Sequence, residues 1–435
     1  MKRVIGTVIA LVAMGAAAFA GGTTEAPAKA GATAAGGTTA IRWSFWGSEA
    51  RIKNTQLAID KFTEKTGIIV AAEPAPGTGE HFAKFATQFA GGNAADIVQL
   101  GGDFSNLGVG SNVGSVLLPL DALVKSGALD VSKIDASAIA AGTVDGKLYA
   151  LPLAANMPGI LYNKSLLERS GAPLPKVSMS WEEFASWLAA VKAKLPAGVF
   201  PIADNSSNTD QSYYFGYWMR QNGTPMWDGT KSSVKAADAQ KYFDLWAGWR
   251  TAGFIPDAQT AGGYAETNES TSSLIAGKVA ACVIWSNQLL NYQNATKDAL
   301  DLVELPNAAA SRMLWGQMSQ MMAVNKNSKN AEAAAKFISY RVNDPGVWKI
   351  MGADPGNPVN SDARAVVATT DIARKVAAYI DVAGKHASAR DPNMPGDSQW
   401  NNRLFVIAQK VAFGQSTTAQ AGQQVVDLIA ELTRK

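Results

Sequence analysis

Three stretches of the sequence close an apolar run with an indole ring or a glycine pair and then present hydrogen-bonding side chains. "RWSFWG" places Trp43, Phe45 and Trp46 ahead of Gly47, with Glu49 and Arg51 close behind. "ADIVQLGGD" runs into Gly101, Gly102 and Asp103, and "AACVIWSNQ" ends on Trp285 with Asn287 and Gln288 next. An indole covers a flat apolar surface, while Asn, Gln, Asp, Glu and Arg offer directional donors and acceptors. That set grips and orients a molecule. It is poorly equipped to shuttle protons: the 435 residues contain 12 tryptophans but two histidines, His81 and His386. Two histidines support no Ser–His–Asp set, and neither an H-E-x-x-H stretch nor a cysteine cluster suggests a metal. No catalytic group, metal or cofactor is therefore expected. The single cysteine, Cys282, sits among apolar neighbours that raise a thiol pKa, and reads as a small buried hydrophobe.

Positioning such residues is a matter of strand ends. From Ile41 the pattern alternates strand and helix: "AIRWSFW", then "RIKNTQLAIDKFTEKTG" with Ile52, Leu57, Ile59 and Phe62 at helical spacing and Gly67 as a stop, then "IIVAAEPA", "GEHFAKFATQFAGG" and the continuous apolar "ADIVQL". This βαβαβ order predicts an α/β sheet with right-handed crossovers. Ligands of such sheets collect beyond the carboxyl ends of the strands, where Trp46, Asp103 and Trp285 fall. Downstream, Asp145-Gly146 marks a hairpin turn. Ser180 with Glu183 forms a capping box, which gives Glu183 a structural role. Trp181, Trp187, Trp246 and Trp249 recur at helical spacing and read as core. "NAEAAAKFISYRVN", "ARKVAAYIDVAG", "LFVIAQKVAFG" and the final "AQAGQQVVDLIAELTRK" predict further amphipathic helices.

The composition is that of a globular chain long enough for two domains: 47% hydrophobic, 17% charged, net charge +3. No basic stripe argues for nucleic acid. Residues 1–20 carry a basic start, an uncharged apolar stretch and an Ala18-Phe19-Ala20 cleavage signal. They are expected to be a removed signal peptide. No cysteine follows for lipid attachment, so a periplasmic, freely diffusing protein is expected. Residues 21–40, nearly devoid of large apolar side chains, read as a flexible linker.

Taken in order, "W-x-F-W-G", "FAGGNAADIVQL", "DGKLYALPL", "ILYNKSLLERSG", "SWEEF", "LIAGKVAACVIW" and "AAAKFISYRVNDPGVWKIMGADPGNPVNSDA" resemble the extracellular sugar-binding proteins of ABC importers, the family 1 solute-binding proteins that include maltose-binding protein. The "AGG-x-x-ADI-x-Q" phrasing is similar to members that handle plant-derived oligosaccharides or uronides. The resemblance implies a two-lobed, hinged type II periplasmic-binding-protein fold, each lobe a mixed sheet flanked by helices. Carried onto this sequence, the N-terminal lobe is 41–152 plus 308–352 and the C-terminal lobe 153–307 plus 353–435. Hinge segments are implied near Leu151 to Asn156, around Pro306 and near Gly352. A sugar or oligosaccharide would bind between the lobes of a monomer, and closure would present both lobes to the membrane permease.

A sugar ring has an apolar C–H face for tryptophan and a rim of hydroxyls for polar side chains. On that reading the candidate ligand-binding residues are Trp46, Glu49, Arg51, Asp103, Asn156, Trp227, Asp228, Trp285, Asn287, Trp315, Gln317, Asn357 and Trp400. For Trp227, Trp315 and Trp400 a core position is an equal alternative, and Asp103 could instead cap a helix. Arg51 could meet a carboxylate on an acidic sugar. Competing readings are a secreted glycoside hydrolase, which needs two carboxylates ~5–9.5 Å apart, a binding protein for a non-sugar solute, and a sensor subunit that signals its bound state to a membrane receptor.

Overall fold

The computed structural model describes residues 39–109, 112–206, 211–266, 269–307, 317–384, 394 and 397–434. Residues 1–20, all but the last two of 21–40, Trp315 and His386 lie outside them.

The strands in chain order are β1 (Ala40–Trp46), β2 (Ile69–Ala75), β3 (Ile97–Leu100), the short β4 (Thr143–Val144) and β5 (Lys147–Leu148), β6 (Ala150–Asn156), β7 (Pro158–Asn163), β8 (Ala281–Trp285), β9 (Leu300–Val303), β10 (Gln317–Val324) and β11 (Asn357–Pro358). Six of them form one mixed sheet in the order β11-β6-β10-β3-β1-β2. β1 pairs parallel with both β2 and β3, as the βαβαβ pattern predicts, while β10 lies antiparallel between β3 and β6. A second sheet, β8-β7-β9, is antiparallel throughout.

Local chemistry accounts for the elements. Trp43 and Phe45 alternate along β1 onto one face, stack with ring centroids 4.4 Å apart and are both buried. The helix Glu49–Thr66 starts on Ser48, whose hydroxyl accepts from the Arg51 amide, and stops on Gly67 in a left-handed conformation. Its core face is Thr55, Ala58, Ile59 and Phe62. Leu57, expected on that face, is 46% exposed because it falls one position off the buried stripe. Ser180 and Glu183 make both bonds of the capping box, and Asp145 and Gly146 both take positive φ in the β4–β5 turn. Trp187, Trp246 and Trp249 are buried, and Trp181 packs on the same core.

Each sheet has its own interior. One holds Trp43, Phe62, Leu151, Leu153, Phe337 and Trp348; the other holds Ile160, Phe184, Phe215, Trp246, Trp400 and Val425. The chain passes between them at Asn156-Met157-Pro158, since Ala154 to Asn156 still pair within the larger sheet. Pro306 belongs to the second body, where its carbonyl accepts from Tyr217 Oη at 2.9 Å. Gly352 is not a crossing. Met351, Ala353, Val359, Ala363 and Val367 all pack with the first body. The crossing falls instead on the helix Asp371–Gly384, which buries Ala373 in the first interior and Val376, Tyr379 and Ala383 in the second.

Trp400 corrects one expectation. It is 0% exposed, packed beside Phe215 with centroids 5.8 Å apart, and has no face for a ligand. Trp400→Ala should cost about 3–5 kcal/mol of stability, read as a lowered midpoint in urea unfolding. A loss below about 1 kcal/mol would contradict the core assignment.

Candidate functional site

Between the two bodies lies a cleft of ≈ 530 Å³, within the ~300–1,000 Å³ of small-molecule sites. The larger sheet contributes Trp46, Arg51, Gly101, Gly102, Asn156, Ser319, Gln320 and Asp354 to it, and the β8 end contributes Trp285, Asn287, Gln288 and Asn291. Trp46, Asn156 and Trp285 close their strands and Gly101 and Gly102 follow β3, while Ser319 and Gln320 lie within β10.

β1 delivers Trp46 to the rim, half-buried and tilted against His81 and Phe82 at centroid distances of 5.1 and 5.7 Å. His81 is fully buried beneath it. Its Nε2 lies 2.8 Å from the Gln99 carbonyl, which can only accept, so Nε2 carries the proton. Nδ1 then accepts from Ser44 Oγ at 3.2 Å. Burial, aided by nearby Lys84, pushes the imidazole pKa below its usual 6.5. His81 is thus a neutral floor for Trp46.

Gly47 follows for a steric reason. A Cβ there would sit 2.8 Å from Arg51 Cδ and 3.0 Å from Cγ. Its absence lets Arg51 cross the loop to Asp354, with Nε to Oδ2 at 2.7 Å and Nη2 to Oδ1 at 3.1 Å. The Asp354 carbonyl accepts from Asn287 Nδ2 at 3.1 Å, a bond that joins the two bodies. The next carbonyl, Pro355, accepts from Ser319 Oγ at 2.6 Å and Asn156 Nδ2 at 3.3 Å. Asn156 is 6% exposed, and its Oδ1 has no hydrogen-bond partner although it borders the cleft. A buried acceptor in that state favours an incoming donor. Gln320 adds a backbone feature: φ is +51° inside β10, a left-handed residue in a strand at the cleft wall.

Of the sequence candidates, Trp46, Arg51, Asn156, Trp285 and Asn287 come together here. Glu49 is exposed on the first helical turn, outside the lining. Asp103 follows the lining glycines without joining them. Asn357 is in β11, paired with Ala155. Trp227 packs on the second core. Asp228 is exposed and folds onto its own turn. Its Oδ1 accepts from the Lys231 amide and from the Thr230 amide and hydroxyl, each at 2.8 Å, and these bonds hold its pKa down at about 2. Trp315 lies outside the described residues, and so does the side chain of Gln317, whose backbone opens β10. Sequence reasoning missed Asp354, Ser319 and Gln320. The "ADPG" turn was a visible signal for Asp354, but nothing local marks a pairing with a residue 303 positions away. Among the described residues no cluster of His, Cys, Asp or Glu could hold a metal, and no helix is long and apolar enough to cross a membrane.

Two α/β bodies with a polar, indole-lined cleft between them define the type II periplasmic-binding-protein fold. The sequence profile described as bacterial extracellular solute-binding protein matches residues 58–379, and the chain belongs to that family. It is similar to a maltodextrin-binding protein of Bacillus subtilis, 24% identical over 293 residues that cover 66% of this chain and 68% of that one. A binding protein of Brucella abortus is 26% identical over 228 residues, spanning 50% of this chain and 52% of its own length. Among solved structures, a periplasmic solute-binding protein of Pectobacterium atrosepticum matches with TM-score 0.78 at 21% identity, covering 91% of this chain and 100% of that one. An oligogalacturonide-binding protein of Yersinia enterocolitica, in complex with saturated digalacturonic acid, matches with TM-score 0.77 at 20% identity and the same coverage.

The buried imidazole makes stability depend on pH. With its folded pKa below 6.5, the unfolded chain takes up the proton first. The contribution of neutral His81 is complete above 6.5 and is lost as pH falls through 6.5 toward the folded value. Urea unfolding from about pH 7.5 to about pH 5 should show a falling midpoint. His81→Gln should flatten that fall, and an unchanged slope would rule out His81 as its source.

Proposed function

We propose that this chain is the extracytoplasmic solute-binding component of an ABC transporter, which holds a sugar or oligosaccharide between its lobes and delivers it unchanged to the membrane permease. The observation that carries the reading is the presence of Trp46 and Trp285, one from each sheet, in one cleft bordered by Asn, Gln and Ser side chains. Indole rings cover the C–H faces of a pyranose, and the amides and hydroxyls pair its rim. Each paired hydroxyl contributes about 0.5–1.5 kcal/mol, and a buried unpaired one costs about 1–3 kcal/mol, so the rim sets specificity. The maltodextrin-binding relative and the oligogalacturonide-binding neighbour support carbohydrate as the ligand class.

The lobes would follow the two interiors: 39–156 with 317–373, and 158–307 with the remainder. The protein would act as a monomer outside the cytoplasm. Ligand would select a closed arrangement from an existing open–closed equilibrium. A hydrolase would need a second carboxylate facing Asp354 across the cleft; among the described residues Asp354 is the carboxylate that lines it, and it is occupied by Arg51.

Trp46→Ala should weaken binding of the cognate sugar more than about tenfold while the melting temperature stays close to wild type, since the ring is half-buried. Titration calorimetry and thermal unfolding read the two effects. A large stability loss with unaltered affinity would return Trp46 to the core. Small-angle scattering should show a smaller radius of gyration at saturation, and release of reducing sugar from a bound oligosaccharide would favour the hydrolase instead.

A further inference from the structure

Among the described residues the cleft lining holds one cation, Arg51, and that cation already has a partner. Among the described residues Arg51 and Asp354 are the charged side chains in the lining. They meet through two hydrogen bonds, Nε to Oδ2 at 2.7 Å and Nη2 to Oδ1 at 3.1 Å, a fork that saturates one edge of the guanidinium. Both are largely shielded, with side-chain exposures of 18% and 22%. Neither partner is free to swing aside. Arg51 runs over Gly47 in a passage that a Cβ would close. Asp354 sits on a backbone tied down at two successive carbonyls, its own by Asn287 and that of Pro355 by Ser319 and Asn156.

We propose that Asp354 is a specificity-determining residue: it neutralises Arg51 and makes the cleft select an uncharged sugar over its uronate counterpart. The inference rests on the carbohydrate reading and narrows it. A uronate carboxylate entering here meets a guanidinium already committed to an anion. Taking Arg51 from Asp354 leaves one of two carboxylates without a counter-charge in a partly desolvated cleft, and leaving the pair intact strands the ligand's charge. A neutral ring meets neither penalty, and the outer edge of Arg51 still offers donors to its hydroxyls. The chain therefore shares a fold with the oligogalacturonide-binding neighbour while the described lining of its own cleft has a net charge of zero.

The test titrates the purified chain with matched pairs, glucose against glucuronate and galactose against galacturonate, together with the oligosaccharides of each. Wild type should bind the neutral member of its preferred pair at least about tenfold more tightly. Asp354→Asn keeps the backbone and frees Arg51, so it should move the ratio toward the uronate by about tenfold or more, with the gain fading as salt rises. A second arm needs no sugar. Sulfate should raise the melting temperature of Asp354→Asn above its effect on wild type, and adding Arg51→Gln should abolish the difference. Preference of wild type for a uronate overturns the inference, and needs no variant to be read. An unmoved ratio together with an unmoved sulfate response in Asp354→Asn also overturns it. A sulfate response that appears in the variant while neither sugar class binds sustains the charge assignment and instead sinks the carbohydrate reading.

Discussion

The cleft depends on one stretch of backbone, Asp354 to Gly356, being held where no sheet or helix holds it. Its peptide groups need partners as any shielded peptide does. The amides of Asp354 and Gly356 bond back to the Met351 and Ala353 carbonyls, and the carbonyls of Asp354 and Pro355 accept from four places: Arg51 on the first helix, Asn287 beyond β8, Asn156 at the end of β6 and Ser319 in β10. Gly356 completes the arrangement. Its φ is +120°, and a side chain there would collide with the Asn156 amide. Because the same few bonds satisfy this turn, fix Arg51 and meet the second body, the polar geometry of the site and the approach of the two sheets are one structural problem.

Much of this was legible in the sequence where a signal is local. Alternation in "RWSFW" buries Trp43 and Phe45 and leaves Trp46 at the rim. Serine with glutamate three residues on gives a capping box, and a continuous apolar "IVQL" gives a strand buried on both faces. Strand ends pointed to Trp46, Trp285 and Asn287, and the implied crossover to Asn156, and these four line one cleft, while Asp103, also past a strand end, does not. What stayed hidden is non-local. Trp400 lies in a polar sequence context, "DSQWNN", yet is sealed in a helical core, because its surroundings come from helices far away in the chain. Asp228 resembles a ligand-facing acid by composition, but its nearest donors are its own turn. No local signal marks which body the chain joins after the implied crossover near Gly352, where Val359, Ala363 and Val367 pack with the first interior.

The electrostatic design is economical in a way that residue types alone conceal. An arginine and an aspartate in one cleft look like two recognition groups. Paired, they form a neutral wall, which on the proposed reading leaves recognition to indole faces and uncharged amides. The same logic runs beneath Trp46, where a histidine that could have carried charge is kept toward its neutral form by burial and by nearby Lys84, while the Gln99 carbonyl fixes its tautomer. Deeper in the first body the Arg341 guanidinium lies 5.4 Å from the Trp43 ring centroid, and burial lowers its pKa only to about 10, so this cation keeps its charge against an indole face.

The helix Asp371–Gly384 has one end rooted in each interior. Such a shared rod has a thermodynamic consequence. Melting either half would strip apolar cover from a continuous run of hydrogen-bonded turns still anchored in the other, and neither half can release it without exposing its own neighbours. Heat should therefore take the molecule apart in a single concerted event, not half by half, even though its two interiors are built from separate sheets.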